Sequence, residues 1–171
     1  MPKSALEKAM DYLALRPLSA FELRSKLSKS GHFGAEEVEN ALETCQKRGY
    51  LNDELLASDA VQFLNSSGKG ARLIRQKLRS RGIGEEELSQ AMAQLSTEDE
   101  YESARGAAEG KLRLLTREKD MRKKKEKLFR FLITRGFSPS VAGEVSRELL
   151  QNSEEECFTD CPEPVEGEES E

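Results

Sequence analysis

Basic side chains without acidic neighbours are the residues of this sequence best suited to chemistry, and that chemistry is anion binding. Residues 69–81 contain six lysines and arginines and no acidic residue. On a helix, Arg72, Arg75 and Arg79 would lie within about 60° of one another, on a different face from the apolar residues of the segment. Such a surface suits phosphates or the carboxylates of a protein partner. We predict partner or DNA contacts for Lys69, Arg72, Arg75 and Arg79.

A second basic concentration lies in residues 111–130, which contain ten basic and three acidic residues. It includes four consecutive cations at 122–125. Lys123, Lys124 and Arg130 are predicted as further partner or DNA contacts. The alternative for either segment is a helix face that is merely solvated, as runs of lysine and arginine on exposed helices often are.

Residues for catalysis, metal binding or cofactor binding are scarce. The single histidine, His32, has no candidate nucleophile beside it. Residues 68–70 form a Gly-Lys-Gly sequence, but without the Lys-Ser/Thr ending of a phosphate-binding loop they predict a turn between helices. Cys45 occupies an apolar position and predicts a small buried side chain, while Cys157 and Cys161 lack neighbours for a zinc site. We predict no catalytic residue, no metal, no cofactor and no enzymatic activity.

The elements that must position the basic residues form a threefold repeat. Gly31, Gly82 and Gly136 each follow apolar residues at −8 and −4. Counted from the apolar residue after each glycine, further apolar residues recur at +5, +8 and +12, and His32 is the one insertion. This regularity predicts a tandem helical repeat protein.

Capping signals and left-handed glycines divide the chain into helices. Ser4 with Glu7, Ser19 with Glu22, and Thr97 with Glu100 have the spacing of capping boxes, and Ser138 precedes a first-turn proline. Together these signals predict nine helices, at 4–15, 19–30, 35–48, 53–65, 70–81, 85–95, 97–115, 118–135 and 139–151.

The predicted fold is all-α, with three tandem three-helix units in an elongated, curved array. The units cover 1–52, 53–96 and 97–152, each with its own small core and with modest contacts to its neighbours. Residues 153–171 are predicted to form an acidic disordered tail.

The net charge of −5 is unevenly distributed along the chain, and most of the sequence is basic. Residues 154–171 carry nine acidic side chains and no basic one, so the preceding 153 residues carry about +4. No apolar run approaches the roughly 20 residues of a membrane span. We therefore expect a soluble, cytoplasmic protein that does not engage a membrane.

Motifs around the second glycine carry a family resemblance. The sequences Gly-Tyr-Leu-Asn-Asp-Glu at 49–54, Gly-Lys-Gly at 68–70 and Ile-Arg-Gln-Lys-Leu at 74–78, with Gly82-Ile83, resemble the RecX family of recombinase regulators. Arg135-Gly136-Phe137 is similar to that family's C-terminal repeat. The resemblance covers nearly all of residues 1–152 and is most specific in its middle part.

The resemblance implies a regulator that binds the RecA–DNA filament and mostly inhibits the recombinase, ATPase and coprotease activities of RecA. It places the protein in DNA repair, recombination and the SOS response, with the RecA nucleoprotein filament as partner. We expect a monomer. Two alternatives are a protein that binds single- or double-stranded DNA without RecA, and a helical adaptor whose basic faces are only solvated.

Overall fold

The computed structural model describes residues 3–158, and from residue 152 onward it describes the backbone only. Within this part of the chain there are nine helices and no strands. They are α1 (Ala5–Leu15), α2 (Ala20–Lys29), α3 (Ala35–Lys47), α4 (Asp53–Ser66), α5 (Ala71–Ser80), α6 (Glu85–Ala93), α7 (Thr97–Leu114), α8 (Met121–Thr134) and α9 (Pro139–Phe158).

The helices group by contact into three consecutive triplets, and the predicted all-α fold of tandem three-helix units is confirmed. In the first triplet α1, α2 and α3 contact one another, as do α4, α5 and α6 in the second and α7, α8 and α9 in the third. Each triplet has its own cluster of buried apolar residues. The apolar pair that precedes each repeat glycine is fully buried, at Leu23 and Leu27, Ile74 and Leu78, and Leu128 and Leu132.

Glycines end the helices as the sequence predicts. Gly31, Gly49, Gly82 and Gly136 have φ values of 69°, 73°, 72° and 91°, a left-handed conformation that side chains with a Cβ rarely adopt. The first triplet, which carries the inserted His32, buries the apolar residue after its glycine less deeply than the other two do. Phe33 is only partly buried, whereas the corresponding Ile83 and Phe137 are 5% and 2% exposed.

Two of the three predicted capping boxes, at Ser4 and Ser19, are confirmed. The third is wrong by one residue. Ser96, rather than Thr97, is the N-cap of α7: its hydroxyl accepts from the Asp99 amide at 3.0 Å, and the Asp99 carboxylate accepts from the Ser96 amide at 3.1 Å. Ser96 and Thr97 are adjacent, and so are Asp99 and Glu100, so a capping box could form from either pair. In the structure Asp99 takes the role that the prediction gave to Glu100.

Ser96→Ala is expected to lower the free energy of unfolding by about 1 kcal/mol, because it removes the acceptor for the Asp99 amide. Thr97→Ala, the matched control one position later, should change it by less than about 0.5 kcal/mol. Urea denaturation followed by circular dichroism measures both. A larger effect of Thr97→Ala than of Ser96→Ala would instead indicate that Thr97 is the N-cap of α7.

The last helix is longer than predicted. It ends at Phe158, seven residues beyond the expected position, so the first acidic residues of the C-terminal segment belong to α9. Glutamate and glutamine have high helix propensity and no proline occurs between positions 139 and 162, which explains the extension. The rest of the predicted tail lies outside the described residues. In the described part of the chain, no helix is both long enough and apolar enough to cross a bilayer.

Candidate partner-binding groove

The second and third triplets meet through backbone atoms. The Gly70 amide donates to the Arg135 carbonyl at 2.9 Å, and the Arg72 amide donates to the Gly136 carbonyl at 3.1 Å. Gly70 is the N-cap of α5 and has no side chain that could accept hydrogen bonds from the first amides of the helix. Backbone carbonyls of the turn between α8 and α9 act as acceptors instead. The predicted turn at 68–70 is confirmed, and its helix N-terminus is occupied by protein rather than left open for phosphate.

We call the contact between two consecutive triplets a joint, so that this one, between the second and third triplets, is the second joint. Its two backbone segments approach more closely than a side chain at either glycine would permit. A Cβ at Gly70 would lie 2.2 Å from the Phe137 nitrogen, and a Cβ at Gly136 would lie 2.5 Å from the Leu73 nitrogen. Arg135 strengthens the contact by pointing its guanidinium toward the Ser67 and Gly68 carbonyls, each at 3.4 Å. The joint is therefore fixed from both sides.

The first and second triplets meet in a similar way. The Ser19 hydroxyl donates to the Arg81 carbonyl, and Arg81 donates to the Pro17 carbonyl at 3.1 Å and to Glu22 at 3.0 Å. The Asp53 carboxylate at the start of α4 accepts from the Ala20 amide at 3.0 Å. Both joints thus use an arginine immediately before the turn glycine.

Sequence reasoning missed these arginines although a signal was present. Arg81-Gly82 and Arg135-Gly136 carry the pair, while the first copy has Ser30-Gly31. In that first copy a Cβ at Gly31 would meet nothing within 4 Å, so this turn makes no close contact with another unit in the described part of the chain. An arginine at this position marks a turn that contacts the unit before it.

Acidification is expected to weaken the first joint through Glu22. Burial opposes ionisation of this carboxyl, but hydrogen bonds from Arg81, from the Ser19 amide and from Arg16 outweigh it and hold the pKa of Glu22 below its usual value of 4.5. A lowered pKa stabilises the fold above the pKa of the unfolded chain, and the stabilisation is lost as the pH falls through the folded value. Glu22→Gln should therefore lower the free energy of unfolding at pH 7, by an amount that shrinks below about pH 4.5.

Urea denaturation between pH 3 and pH 7 checks this expectation, and an equal deficit throughout that range would contradict it. Asp53 titrates with the opposite sign, because burial raises its pKa and protonation then favours the folded state as the pH falls. The comparison of Glu22→Gln with the natural protein removes most of that contribution, since Asp53 is present in both and the Glu22 charge is the smallest of the causes that shift the pKa of Asp53.

A groove of about 630 Å³ opens beside the second joint, between α5 and the α8–α9 turn. We call it the inter-triplet groove. One wall is the arginine face of α5 and the other is largely apolar. Its principal lining residues are Arg72, Arg75, Gln76, Arg79, Glu100, Ile133, Phe137 and Pro139.

The structure brings three of the predicted contact residues together here, with different partners. Arg72 donates to the Ile133 carbonyl at 2.7 Å, across the joint. Arg79 makes a two-point ion pair with Glu85 at 2.7 and 3.0 Å, and this hydrogen bonding lowers the pKa of Glu85. Arg75 is exposed and has no hydrogen-bond or ion-pair partner among the described residues. Arg75 is therefore the one arginine of the three whose guanidinium makes no hydrogen bond or ion pair in the described part of the chain, although its charge contributes to the lowered pKa of Glu85.

The other predicted residues do not line this groove. Lys69 is half-buried in the turn before α5. On α8, Lys123 lies 3.9 Å from Asp120 and Arg130 is paired with Glu126. Lys124 is half-buried and has no ionic partner in the described part of the chain. Of the two basic segments that the sequence distinguishes, the first contributes three arginines to the groove, and none of the predicted residues of the second lines it.

Other reactive groups lie apart from the groove. Cys45 is fully buried as predicted, and burial raises the pKa of its thiol, which keeps it protonated. His32 lies in the loop before α3, next to Phe33. Among the described residues, no group of three or more histidine, cysteine or acidic side chains is placed to hold a metal ion.

Comparison with known proteins identifies the family. Two family descriptions match: RecX, first three-helix domain, over residues 5–45, and RecX, third three-helix domain, over residues 98–145. Regulatory protein RecX of Vibrio parahaemolyticus serotype O3:K6 (strain RIMD 2210633) is 36% identical over 135 residues, which cover 79% of this chain and 84% of that protein. The chain belongs to the RecX family. This is a family of regulatory proteins, and the resemblance that the sequence motifs indicate is confirmed.

Other RecX proteins differ in length from this one. Regulatory protein RecX of Clostridium perfringens (strain 13 / Type A) is 33% identical over 133 residues, which cover 77% of this chain but 61% of that protein. A crystal structure of regulatory protein RecX superposes with a TM-score of 0.74 at 30% identity, covering 84% of this chain and 71% of that one. The RecX chain described here thus spans less than two thirds of the length of several of its relatives, 61% of the Clostridium perfringens protein and 55% of one from Limosilactobacillus reuteri.

The family descriptions match the two outer triplets, whereas the most specific motifs of the resemblance lie in the middle. An alignment of 135 residues within a chain of 171 must include residues 49–83. The middle triplet is therefore part of the similarity to the Vibrio RecX protein as well.

Proposed function

We propose that this RecX protein binds the RecA nucleoprotein filament and modulates, mostly inhibits, the recombinase, ATPase and coprotease activities of RecA. It would act in the cytoplasm as a monomer, in DNA repair, recombination and the SOS response. The observation that carries the proposal is the inter-triplet groove, a preformed recess lined by an arginine that makes no hydrogen bond or ion pair within the described residues, in a chain of the RecX family. A partner that itself repeats along DNA suits a regulator built of successive, firmly joined triplets.

The joint supports this proposal because it fixes the groove before a partner arrives. Hydrogen bonds of Gly70, Arg72 and Arg135 hold α5 against the α8–α9 turn. A recess that is already ordered loses less conformational entropy on binding than one that must first assemble. The remaining predicted contacts, Lys69, Lys123, Lys124 and Arg130, stay as proposed secondary contacts.

The experiment is a DNA-stimulated RecA ATPase assay with the purified chain in several-fold excess, combined with co-sedimentation of the chain with filaments. We expect ATP hydrolysis to fall and the chain to sediment with RecA. Unchanged hydrolysis together with a chain that stays in the supernatant would reject the proposal.

A second candidate, direct DNA binding without RecA, is favoured by the start of α8. Arg122 and Lys125 are exposed there, and like Lys124 they have no ionic partner among the described residues. Binding through such cations would follow the phosphate backbone and fall steeply with salt. Reversing these three charges should abolish DNA binding, and strong filament binding with only weak binding to free DNA would reject this candidate.

A further inference from the structure

We infer that the inter-triplet groove receives an acidic side chain of a protein partner, held by Arg75, rather than a run of nucleic-acid phosphates. This inference rests on the proposed function in taking RecA filaments as the first partner to test. It assigns different roles to three arginines that the sequence alone does not distinguish. Arg75 contacts the partner, Arg72 positions the wall on which Arg75 stands, and Arg79 is committed to Glu85.

The charge of the groove suits one carboxylate. Arg79 is neutralised by its two-point pair with Glu85, and Glu100 adds a negative charge to the lining. Arg72 directs its guanidinium to a backbone carbonyl across the joint. Affinity for a nucleic-acid backbone grows with the number of phosphates neutralised. Because Glu85 and Glu100 offset two of the three arginine charges, the groove retains a net charge of about +1 and is a poor track for a polyanion. The planar donor fork of arginine matches a single carboxylate well.

The wall opposite Arg75 also fits a protein partner. Gly136 and Phe137 are buried in this wall, and its accessible apolar surface comes from Ile133 and Pro139. An aliphatic side chain next to the carboxylate would meet that surface. Phe137 is 2% exposed and offers no ring face on which a base could stack. An acidic residue flanked by an apolar one could pair with Arg75 and pack against the apolar wall at the same time. A sugar–phosphate backbone has no apolar group for that wall and carries more charges than the groove can neutralise.

The first test compares two variants of the full chain, Arg75→Glu and Lys77→Glu. Lys77 is also exposed on α5 and carries the same charge, but it lies about 200° away around the helix. It lines a different recess, beside Phe63 and Ser80. Each variant is titrated against labelled RecA–DNA filaments and, separately, against a labelled oligothymidylate without RecA. Thermal unfolding of both variants confirms that the fold is retained.

Arg75→Glu should weaken filament binding by about tenfold or more, as loss of a close charge pair does at protein interfaces. Lys77→Glu should weaken it by less than about threefold. On the oligonucleotide alone, the two variants should behave alike. A selective loss of oligonucleotide binding in Arg75→Glu would overturn the inference in favour of phosphates, and equal filament binding by both variants would also overturn it.

The second test does not depend on RecA, so it separates failure of this inference from failure of the proposed function. The Arg75 Nε–H resonance is followed by NMR during addition of the peptide acetyl-Glu-Leu-Glu-Leu-Glu-amide, and in parallel during addition of an oligothymidylate with the same number of charges. A shift with the peptide that exceeds the shift with the oligonucleotide supports the inference. The reverse order, or no response to either, overturns it.

Discussion

Phe137→Ala is expected to lower the free energy of unfolding by about 3–5 kcal/mol, the usual cost of removing a buried phenylalanine side chain. Phe137 is 2% exposed and belongs to the core shared by α7, α8 and α9. It also borders the second joint, because its backbone nitrogen lies where a Cβ at Gly70 would be placed. Its truncation would leave a cavity in the third triplet and loosen the support of the α8–α9 turn.

Phe63→Ala is the matched control. Phe63 is 69% exposed on α4, so removing the same atoms there should change the free energy of unfolding by less than about 1 kcal/mol. Chemical denaturation of both variants measures the difference. Equal effects would mean that Phe137 is not buried as described.

Hydrogen exchange can locate the damage caused by Phe137→Ala. Because each triplet has its own core, stability is a sum of unit and interface contributions, and a defect in one unit need not spread to the others. Amides of α7, α8 and α9 should exchange faster, while those of α2 and α3 keep their protection. Uniform acceleration over all three triplets would indicate one cooperative unit.

Much of the fold follows from local sequence signals. The spacing of apolar residues around Gly31, Gly82 and Gly136 sets one buried face per helix, and left-handed glycines end helices wherever they occur. These preferences act within a few residues of each other, so they can be read without knowing the tertiary structure. The number and order of the helices were therefore predictable, while ends set by near-equal alternatives, as at Ser96 and after residue 151, were not.

The site was less predictable, because its properties arise between triplets. A helical wheel places Arg72, Arg75 and Arg79 on one face, but it does not show that Arg72 is bonded to the Ile133 carbonyl of another triplet. Nor does it show that the loop after α5 places Glu85 against Arg79. The distinction between one free arginine and two committed ones depends on contacts 6 to 61 residues apart in the chain.

Gly70→Ala should be strongly destabilising although Gly70 is not part of a hydrophobic core. The backbone φ of Gly70 is −77°, which alanine adopts readily, so conformational strain does not enter. The added Cβ would lie 2.2–2.5 Å from the Phe137 nitrogen and the Gly136 carbonyl group, and backbone atoms cannot rotate away. The turn must move, which costs about 1–3 kcal/mol in overpacking and weakens two hydrogen bonds worth about 1 kcal/mol each. We expect a total loss of about 2–4 kcal/mol in the free energy of unfolding.

Gly34→Ala provides the control, since Gly34 is also an N-cap glycine with an extended backbone and a φ of −70°. A Cβ there would lie 3.7 Å from its nearest neighbour, Glu37, so this variant reports only the poorer capping by alanine, about 0.5–1 kcal/mol. The excess loss in Gly70→Ala then measures the joint itself. If the two variants lose the same stability, the α8–α9 turn does not hold α5 as described.

Gly70→Ala and Gly34→Ala also test whether filament binding depends on the second joint. Displacement of the α8–α9 turn would move Ile133 and Phe137 away from Arg75, because these residues line the groove from opposite sides. Gly70→Ala should therefore weaken filament binding about tenfold under conditions where it is still folded, without changing any charge, whereas Gly34→Ala should not. Filament binding that survives in Gly70→Ala would place the contact on basic surfaces outside the groove, such as the start of α8. Loss of binding without loss of charge would instead show that the arginine acts through its position opposite the apolar wall, which a merely solvated basic face would not require.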